Sequence, residues 1–538
     1  MGLLWSRYTI FLAVLAGAAA SAWLGHAVDS RMFFVLAGLG PLALVGLHDL
    51  LQTRHAILRN YPIIGHVRFI LEAFRPEIRQ YLIEDESDPV PFSREQRAVV
   101  YQRAKNVFDK QPFGTVRDVN APGYGWVAHS ITPREPGSHD FRVRIGGDDC
   151  QQPYDASLLN ISGTSFGAVS ANAIQAFNLG ARLGGFAHNT GEGSISRHHR
   201  RHGGDLIWQV ATGYFGCRTP DGRFDPVAFH RQAIDQQVKM IEVKLSQGAK
   251  PGHGGVLPKA KITAEIARTR GVRRDRDCVS PAAHPEFDTP FSLLLFVQML
   301  RRLSGGKPVG LKMCIGHRYE FLAILKAIRE SGIAPDFIVI DGGEGGTGAA
   351  PRELANHVGL PLADALKFAH SSLVGAGLRD RIRLGASGKI ITVYDIFRTL
   401  AFGADYIMSA RGFMFAVGCI QARTCHSNRC PTGVATQSPL RQRALVVKDK
   451  AKRVNSFHDN SLKALAQLLG AAGLSRPDEI RPSNIYIREE NGHATRGDQA
   501  FSCLAAGSLV NGTATGPIAE EWSRARSDSF QPADAVPA

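Results

Sequence analysis

The sequence predicts an α/β protein whose body is a closed (β/α)8 barrel of the TIM type. Three observations carry that expectation. Eight short apolar or β-branched runs alternate with amphipathic helical stretches, the pattern of strand-then-helix units that close on themselves. Polar, glycine-rich runs follow four of those strands, where a barrel gathers its ligands. The 538 residues leave room for a unit of the ~250 residues typical of such barrels. A doubly wound open sheet is the alternative architecture for the same alternation.

The chain opens differently. Tyr8 to Gly25 and Met32 to His48 carry no charged side chain, and only His26 to Arg31 separates them. Each run is close to the ~17-residue lower limit for a membrane-spanning helix. Arg7 precedes the pair, and Arg54, Arg59 and Arg68 follow it, which places both flanks in the cytoplasm. The expectation is a transmembrane hairpin over 1–53 in the inner (cytoplasmic) membrane, with the rest of the chain on the cytoplasmic side. A cleaved signal peptide ending at Ala20-Ser21-Ala22 and a soluble apolar helical pair are the alternatives. Residues 54–93 read as a connector, because Tyr61-Pro62, Arg75-Pro76 and Asp88-Pro89-Val90-Pro91 each disfavour continuous helix. Ser93 to Lys110 reads as a helix capped by Ser93, with Glu95 and Gln96 in its first turn.

The barrel strands are expected at Ser157–Ser162, Gly184–His188, Leu206–Ala211, Met240–Leu245, Pro308–Met313, Phe337–Ile340, Arg381–Leu384 and Tyr406–Met408. Helical stretches lie among them at Ala168–Arg182, Thr263–Arg270, Phe291–Leu303, Tyr319–Ser331, Leu362–Ala376 and Val393–Phe402. A further helix is expected near Ser456–Leu469, and a loosely ordered tail beyond Glu490. The polar runs at strand ends are Ser162-Gly163-Thr164-Ser165, Asn189 to Gly193, Asp341 to Gly348 and Gly385 to Lys389. Glycine lets backbone approach a ligand closely and leaves N–H groups free for phosphate. Ordinary turns also need glycine.

After the last strand, Cys419, Cys425 and Cys430 stand in a C-x5-C-x4-C-P pattern, while the five other cysteines are scattered. Three close thiols suit an iron–sulfur cluster. Buried structural thiols, or a zinc site completed by His426, are the other readings. Eight cysteines in this length are too few for a disulfide-built chain. The formal charge of +15 suits an acidic partner or anionic lipid. The absence of a helix-turn-helix, zinc-finger or aromatic RNA-binding motif argues against nucleic acid.

The segment GCIQARTCHSNRCPTGVATQ, together with LNISGTSFG, HNTGEG, WQVATGYFG, EVKLSQGAKPGHGG and DGGEGGTGAAP in that order, resembles the FMN-binding synthase domain of glutamate synthases over about Arg94 to Asn484. The resemblance implies an FMN-binding barrel over 94–484, followed by a tail over 485–538. It implies an iron–sulfur cluster, most simply 3Fe-4S, on Cys419, Cys425 and Cys430. It places Ser162, Gly163, Gln209, Lys244, Gly343, Ser387, Gly388 and Arg411 at the flavin or its phosphate. Lys250 and Arg270 match binders of 2-oxoglutarate, and Glu192 and Lys244 match the reacting centre. The chain departs from the family where His253 replaces an acid and Val256 replaces a substrate-binding glutamine, which puts the substrate in question. No GxGxxG run sits in a βαβ unit, and the apolar start stands where the family has a glutaminase domain. The implied partners are therefore a 2-oxo acid, ammonia or an amine from elsewhere, and a separate electron donor such as ferredoxin or a reductase subunit. The implied activity is reductive amination by an oxidoreductase of the CH–NH2 class. An N-methylglutamate-type synthase, or an electron-transfer subunit of a membrane complex, is the alternative.

Overall fold

The computed structural model describes residues 7–85, 91–107, 109–135 and 137–534. The chain divides into two compact units, Met1–Asp88 and Pro89–Ala538.

In the first unit, α1 (Thr9–Ala27) and α2 (Met32–Leu51) are long and apolar enough to cross a membrane, with mean hydropathy 1.7 and 1.8. They approach closely because glycines face large side chains. A Cβ on Gly46 would lie 2.2 Å from the Phe11 ring, and one on Gly17 3.0 Å from Leu39. The expected connector is more ordered than its prolines suggest. A short helix, Ala56–Asn60, precedes α3 (Gly65–Ile78), which runs through Pro76 and widens into a π-turn at Arg79–Ile83. Proline at position 76 removes only the hydrogen bond to the Glu72 carbonyl, and the rest of the ladder continues. The break expected at Asp88-Pro89-Val90 lies outside the described residues.

The second unit is built on a closed, fully parallel barrel. Its strands are β1 (Leu159–Ile161), β2 (His188–Asn189), β3 (Leu206–Val210), β4 (Val238–Lys244), β5 (Val309–Met313), β6 (Phe337–Asp341), β7 (Arg383–Ser387) and β8 (Tyr406–Ser409). Each pairs with the next, and β8 closes on β1. The eight expected strands and the closed form are therefore observed. The second shifts to His188–Asn189 because Gly184 still belongs to the helix Ala171–Gly184. The seventh begins two residues later than expected and runs to Ser387.

Alternation along each strand sorts the barrel interior into layers. Ile207, Met240, Phe337 and Tyr406 form a buried apolar floor with Ile145 and Ala156. The last two belong to the hairpin Arg142–Ile145/Tyr154–Ser157, which caps that end. Two glycines make room for the aromatic rings. A Cβ on Gly310 would meet the Phe337 ring at 2.4 Å, and one on Gly385 the Tyr406 ring at 2.6 Å. Toward the C-terminal ends of the strands the barrel turns polar, with Gln209 on β3, Glu242 and Lys244 on β4, Lys312 on β5, Asp341 on β6 and Ser387 on β7.

Outside the barrel, the helix Arg94–Lys105 starts on a capping box in which Ser93 Oγ accepts from the Gln96 N–H (3.1 Å) and the Gln96 side chain accepts from the Ser93 N–H (3.0 Å). It stops short of the expected Lys110 because Asn106 adopts φ 54°, a left-handed cap. The late helix spans Val447–Ala471, nine residues earlier than the sequence suggests, and lies against Ala171–Gly184 where Gly180 meets Val454. The tail is not loose. Ile485–Arg488 is the central strand between Gly125–Val127 and Ala494–Arg496, so a boundary at 484/485 would cut this sheet. The helix Pro517–Arg524 sets Trp522 under the Lys326 ammonium, 5.1 Å from the ring centre.

Candidate active site

The C-terminal ends of the strands open into a cavity lined by Ser162, Gly163, Glu192, Gln209, Lys244, Lys250, Arg270, Ser387, Gly388, Arg411 and Cys425. Those eleven are all residues singled out by the sequence. Gly343 is not among the lining residues. Its N–H donates to the Leu360 carbonyl (2.8 Å) and its α-carbon packs against Gly359, while Gly345, Gly346 and Gly348 of the same run line the cavity. Cys419 and Cys430 lie behind the wall that Cys425 contributes.

A buried carboxyl organises the base. Glu242, fully buried, accepts from Gln209 Nε2 (2.5 Å) and Asn189 Nδ2 (2.8 Å) on the same Oε1. Asn189 Oδ1 in turn accepts from the Gly191 N–H (3.0 Å), fixing the loop that carries Glu192. With one Gln209 N–H committed to Glu242, its carbonyl oxygen and its second N–H are left to meet a ligand. Beside it Lys312 donates to Ser162 Oγ (3.3 Å) and pairs with Asp341 (3.6 Å). Asp341 accepts from the Gly248 N–H (2.8 Å), holding the Gly248–Gly255 loop to β6. Only glycine fits at position 248, since a Cβ would lie 1.8 Å from the Gly342 carbonyl oxygen.

Sequence reasoning passed over Lys312 and gave no role to Asp341 or Gln247, although both lie in runs that it singled out. The available signal was a lysine set in an otherwise apolar strand, Val309-Gly310-Leu311-Lys312-Met313, at an inward register position.

The opposite wall concentrates positive charge around one acid. Lys244 Nζ donates to Glu192 (3.0 Å) and to Gln247 Oε1 (2.8 Å). Burial alone would raise the Glu192 carboxyl, but Lys244, Arg270 and Lys250 together outweigh it and hold it below the usual carboxylate range. Its Oε1 lies where a Cβ on Gly255 would stand, so a side chain there would push the carboxylate out of its place. Burial draws Lys250 below the ordinary lysine value, with Glu192 opposing and Lys244 adding to the fall. Arg270 stacks on Phe215 (5.2 Å) and donates from Nη2 to the Phe166 carbonyl (3.1 Å), while its buried Nε has no partner. A buried guanidinium N–H without a partner is costly unless a ligand satisfies it. Val256 and Leu257 supply an apolar strip on the same side. His253 turns back on the Gly254 carbonyl (2.8 Å) and is not among the lining residues.

The polar end near β7 and β8 suits a phosphate. Gly388 has φ 152°, Lys389 and Arg411 both line the cavity, and a Cβ on Gly346 would meet the Arg411 guanidinium at 3.1 Å. Backbone amides beside fixed cations are the usual cradle for such a group.

Among the described residues no three His, Cys, Asp or Glu side chains converge as a single metal ion requires. A cluster of several irons spreads its thiolates over different metals, a looser requirement than that of a single ion. Burial pushes the Cys419 thiol up to about 11, with Cys425 and Cys430 among its charged neighbours. At Cys430 burial is outweighed by the N–H groups of Ala435, Thr432 and Val434 and by the Thr432 hydroxyl, so that thiol is lowered. Gln421, Arg423 and Asn428 all have φ near 60°, backbone strain of the kind retained around a bound group. Tyr101 pins the segment by donating to the Cys419 carbonyl (2.6 Å).

The family model described as the conserved region in glutamate synthase matches residues 149–475. The chain belongs to the glutamate synthase family. A glutamate synthase large subunit-like protein of Bacillus subtilis, YerD, is 37% identical over 492 residues, spanning 84% of this chain and 93% of its own length. An archaeal NADPH glutamate synthase of Methanocaldococcus jannaschii is 33% identical over 329 residues, 61% of either chain. The chain therefore spans under two thirds of that enzyme's length. A solved structure of mandelate oxidase aligns over 78% of this chain and 96% of its own, with 15% identity and a TM-score of 0.41. The chain is a glutamate synthase-like oxidoreductase.

Two outcomes follow from the geometry. Glu192, depressed below 4.5, contributes stability that is fully present above that value and lost as pH falls through its folded-state value. Glu192→Gln should cost about 3 kcal/mol at neutral pH and flatten the acid limb of the stability curve, measured by urea unfolding across pH. Glu242→Gln and Gln209→Leu should be non-additive by roughly 1–2 kcal/mol in a double-mutant cycle. Simple additivity would show that the two side chains are not coupled.

Proposed function

We propose that the chain reductively aminates a 2-oxo dicarboxylate, 2-oxoglutarate to glutamate, using FMN and a 3Fe-4S cluster. In this reading ammonia or an amine comes from another source, and electrons come from a separate protein such as ferredoxin or a reductase subunit. The observation that carries it is the pairing within one cavity of a Lys244/Lys250/Arg270 wall around Glu192 with a glycine-rich base containing Gln209, Lys312 and the Ser387–Lys389 turn.

The residues divide the work. Gln209, Ser162, Gly163 and Lys312 hold the flavin ring, and Ser387, Gly388, Lys389 and Arg411 hold its phosphate. Cys419, Cys425 and Cys430 hold the cluster. When bound, FMN supplies a hydride and the cluster supplies single electrons. Lys250 and Arg270 take the two carboxylates, which need charge-assisted donors. Arg270 brings the unpartnered Nε for this. Glu192 holds the substrate nitrogen and carries its proton on a carboxylate oxygen. Lys244 keeps that carboxylate aimed and adds positive charge beside the flavin. The apolar hairpin anchors the protein in the cytoplasmic membrane, with the barrel on the cytoplasmic side.

A second reading, an N-methylglutamate-type synthase, is favoured by Val256, which places an apolar side chain in the cavity where the family's glutamine would contact substrate. Anaerobic turnover with reduced flavin, a panel of 2-oxo acids and either ammonia or methylamine, read by product mass, separates the two. No product from any pair would leave the electron-transfer role.

Arg270→Ala should weaken 2-oxoglutarate roughly ten- to a hundredfold, read from perturbation of the flavin spectrum, while flavin content and pyruvate binding change little. Val256→Gln should tighten 2-oxoglutarate. Cys425→Ser should remove iron and the paramagnetic signal of the cluster; undiminished iron would refute the ligand assignment.

A further inference from the structure

Helix α3 carries an apolar stripe that faces solvent. Val67, Ile70, Leu71, Phe74 and Ile78 recur at three- and four-residue spacing, and Tyr81 continues the series into the π-turn. At 3.6 residues per turn the five helical positions share a face about 100° wide. All six side chains are between 36% and 59% exposed. Apolar surface of this kind, contiguous and on one face, marks a partner or a membrane. Arg68 and Arg75 fall together along one flank of the stripe, and Arg79 extends their row. The Arg75–Glu72 pair, 3.7 Å apart with both partners more than half exposed, does little to restrain it.

The position of α3 within its own unit narrows the occupant. Asp49 sits in the last turn of α2 and is fully buried. It accepts from His66 Nε2 with both oxygens (2.9 and 3.0 Å) and from the Ile63 N–H (3.0 Å). The first turn of α3 is thus bonded to the end of a membrane-length helix. An amphipathic helix starting at that level lies at the headgroup boundary, where its apolar side chains reach acyl chains and its arginines extend to phosphates.

We propose that α3 is an interfacial helix lying on the anionic face of the bilayer that the α1–α2 hairpin crosses, with Val67, Ile70, Leu71 and Phe74 below the headgroups and Arg68, Arg75 and Arg79 among them. The inference rests on the membrane reading above and adds a second, lipid-selective contact to it.

Its test uses the full chain reconstituted in phosphatidylcholine vesicles with and without phosphatidylserine. The photoreactive residue p-benzoylphenylalanine replaces Phe74, Glu72 or, within α2, Leu44. Position 74 should form lipid adducts, read by intact mass, in roughly tenfold greater yield than position 72, and phosphatidylserine should raise that yield. Exchanging Arg68, Arg75 and Arg79 together for Gln should abolish the phosphatidylserine effect. Lipid adducts at 44 with none at 74 would overturn the inference and leave the hairpin standing. A crosslink from 74 to a second copy of the chain would overturn it in favour of a protein interface. Absence of lipid adducts at 44 would remove the membrane reading and this inference with it.

Discussion

A closed parallel barrel must fill its own interior, and the layering inside this one governs everything above it. The floor is apolar because Phe337 and Tyr406 occupy volume vacated by Gly310 and Gly385. The next layer is polar, and in it Glu242 takes two side-chain amides on one oxygen. Burying a carboxyl is expensive unless it is hydrogen-bonded. The bonds to Oε1 offset part of that cost, Oε2 being without a hydrogen-bond partner, and they orient Gln209 and, through Asn189, the loop bearing Glu192. The site is therefore positioned from below by strands rather than by its own loops.

The upper wall follows a different logic. Three cations and one acid stand within a partly desolvated mouth, where charges interact more strongly than in water. Glu192 answers for part of that positive charge, and the remainder suits a dianionic ligand. Phe215 beneath the Arg270 guanidinium supports it without neutralising it. A carboxylate in that place would have cancelled its attraction for an anion.

Much of the barrel was legible in the sequence because strand alternation and the glycine-rich strand ends are local signals. Nine of the eleven lining residues named from sequence sit in quoted motifs or strand-end runs; Arg270 and Arg411 stand outside them. Lys312 was not legible, because a lone lysine in an apolar strand becomes informative only once its neighbours are known, Asp341 from the adjoining strand β6 and Ser162 from the end of β1. Gly343 shows the reverse: membership of a glycine run does not decide which glycine faces the cavity. The helix through Pro76 escaped notice because a proline there removes a single ladder bond and the turns on either side continue. The folded tail escaped notice because it rests on tertiary contacts, such as Lys326 with Trp522, which composition does not show.

The sealed floor also restricts access. With Tyr406, Phe337 and the Ile145 hairpin closing one end, traffic passes through the mouth between the loops. Gln209 and Lys312 stand on β3 and β5, whereas Lys250 and Arg270 stand on the segments that follow β4. Groups held by the two pairs share that mouth, so each obstructs the passage of the other.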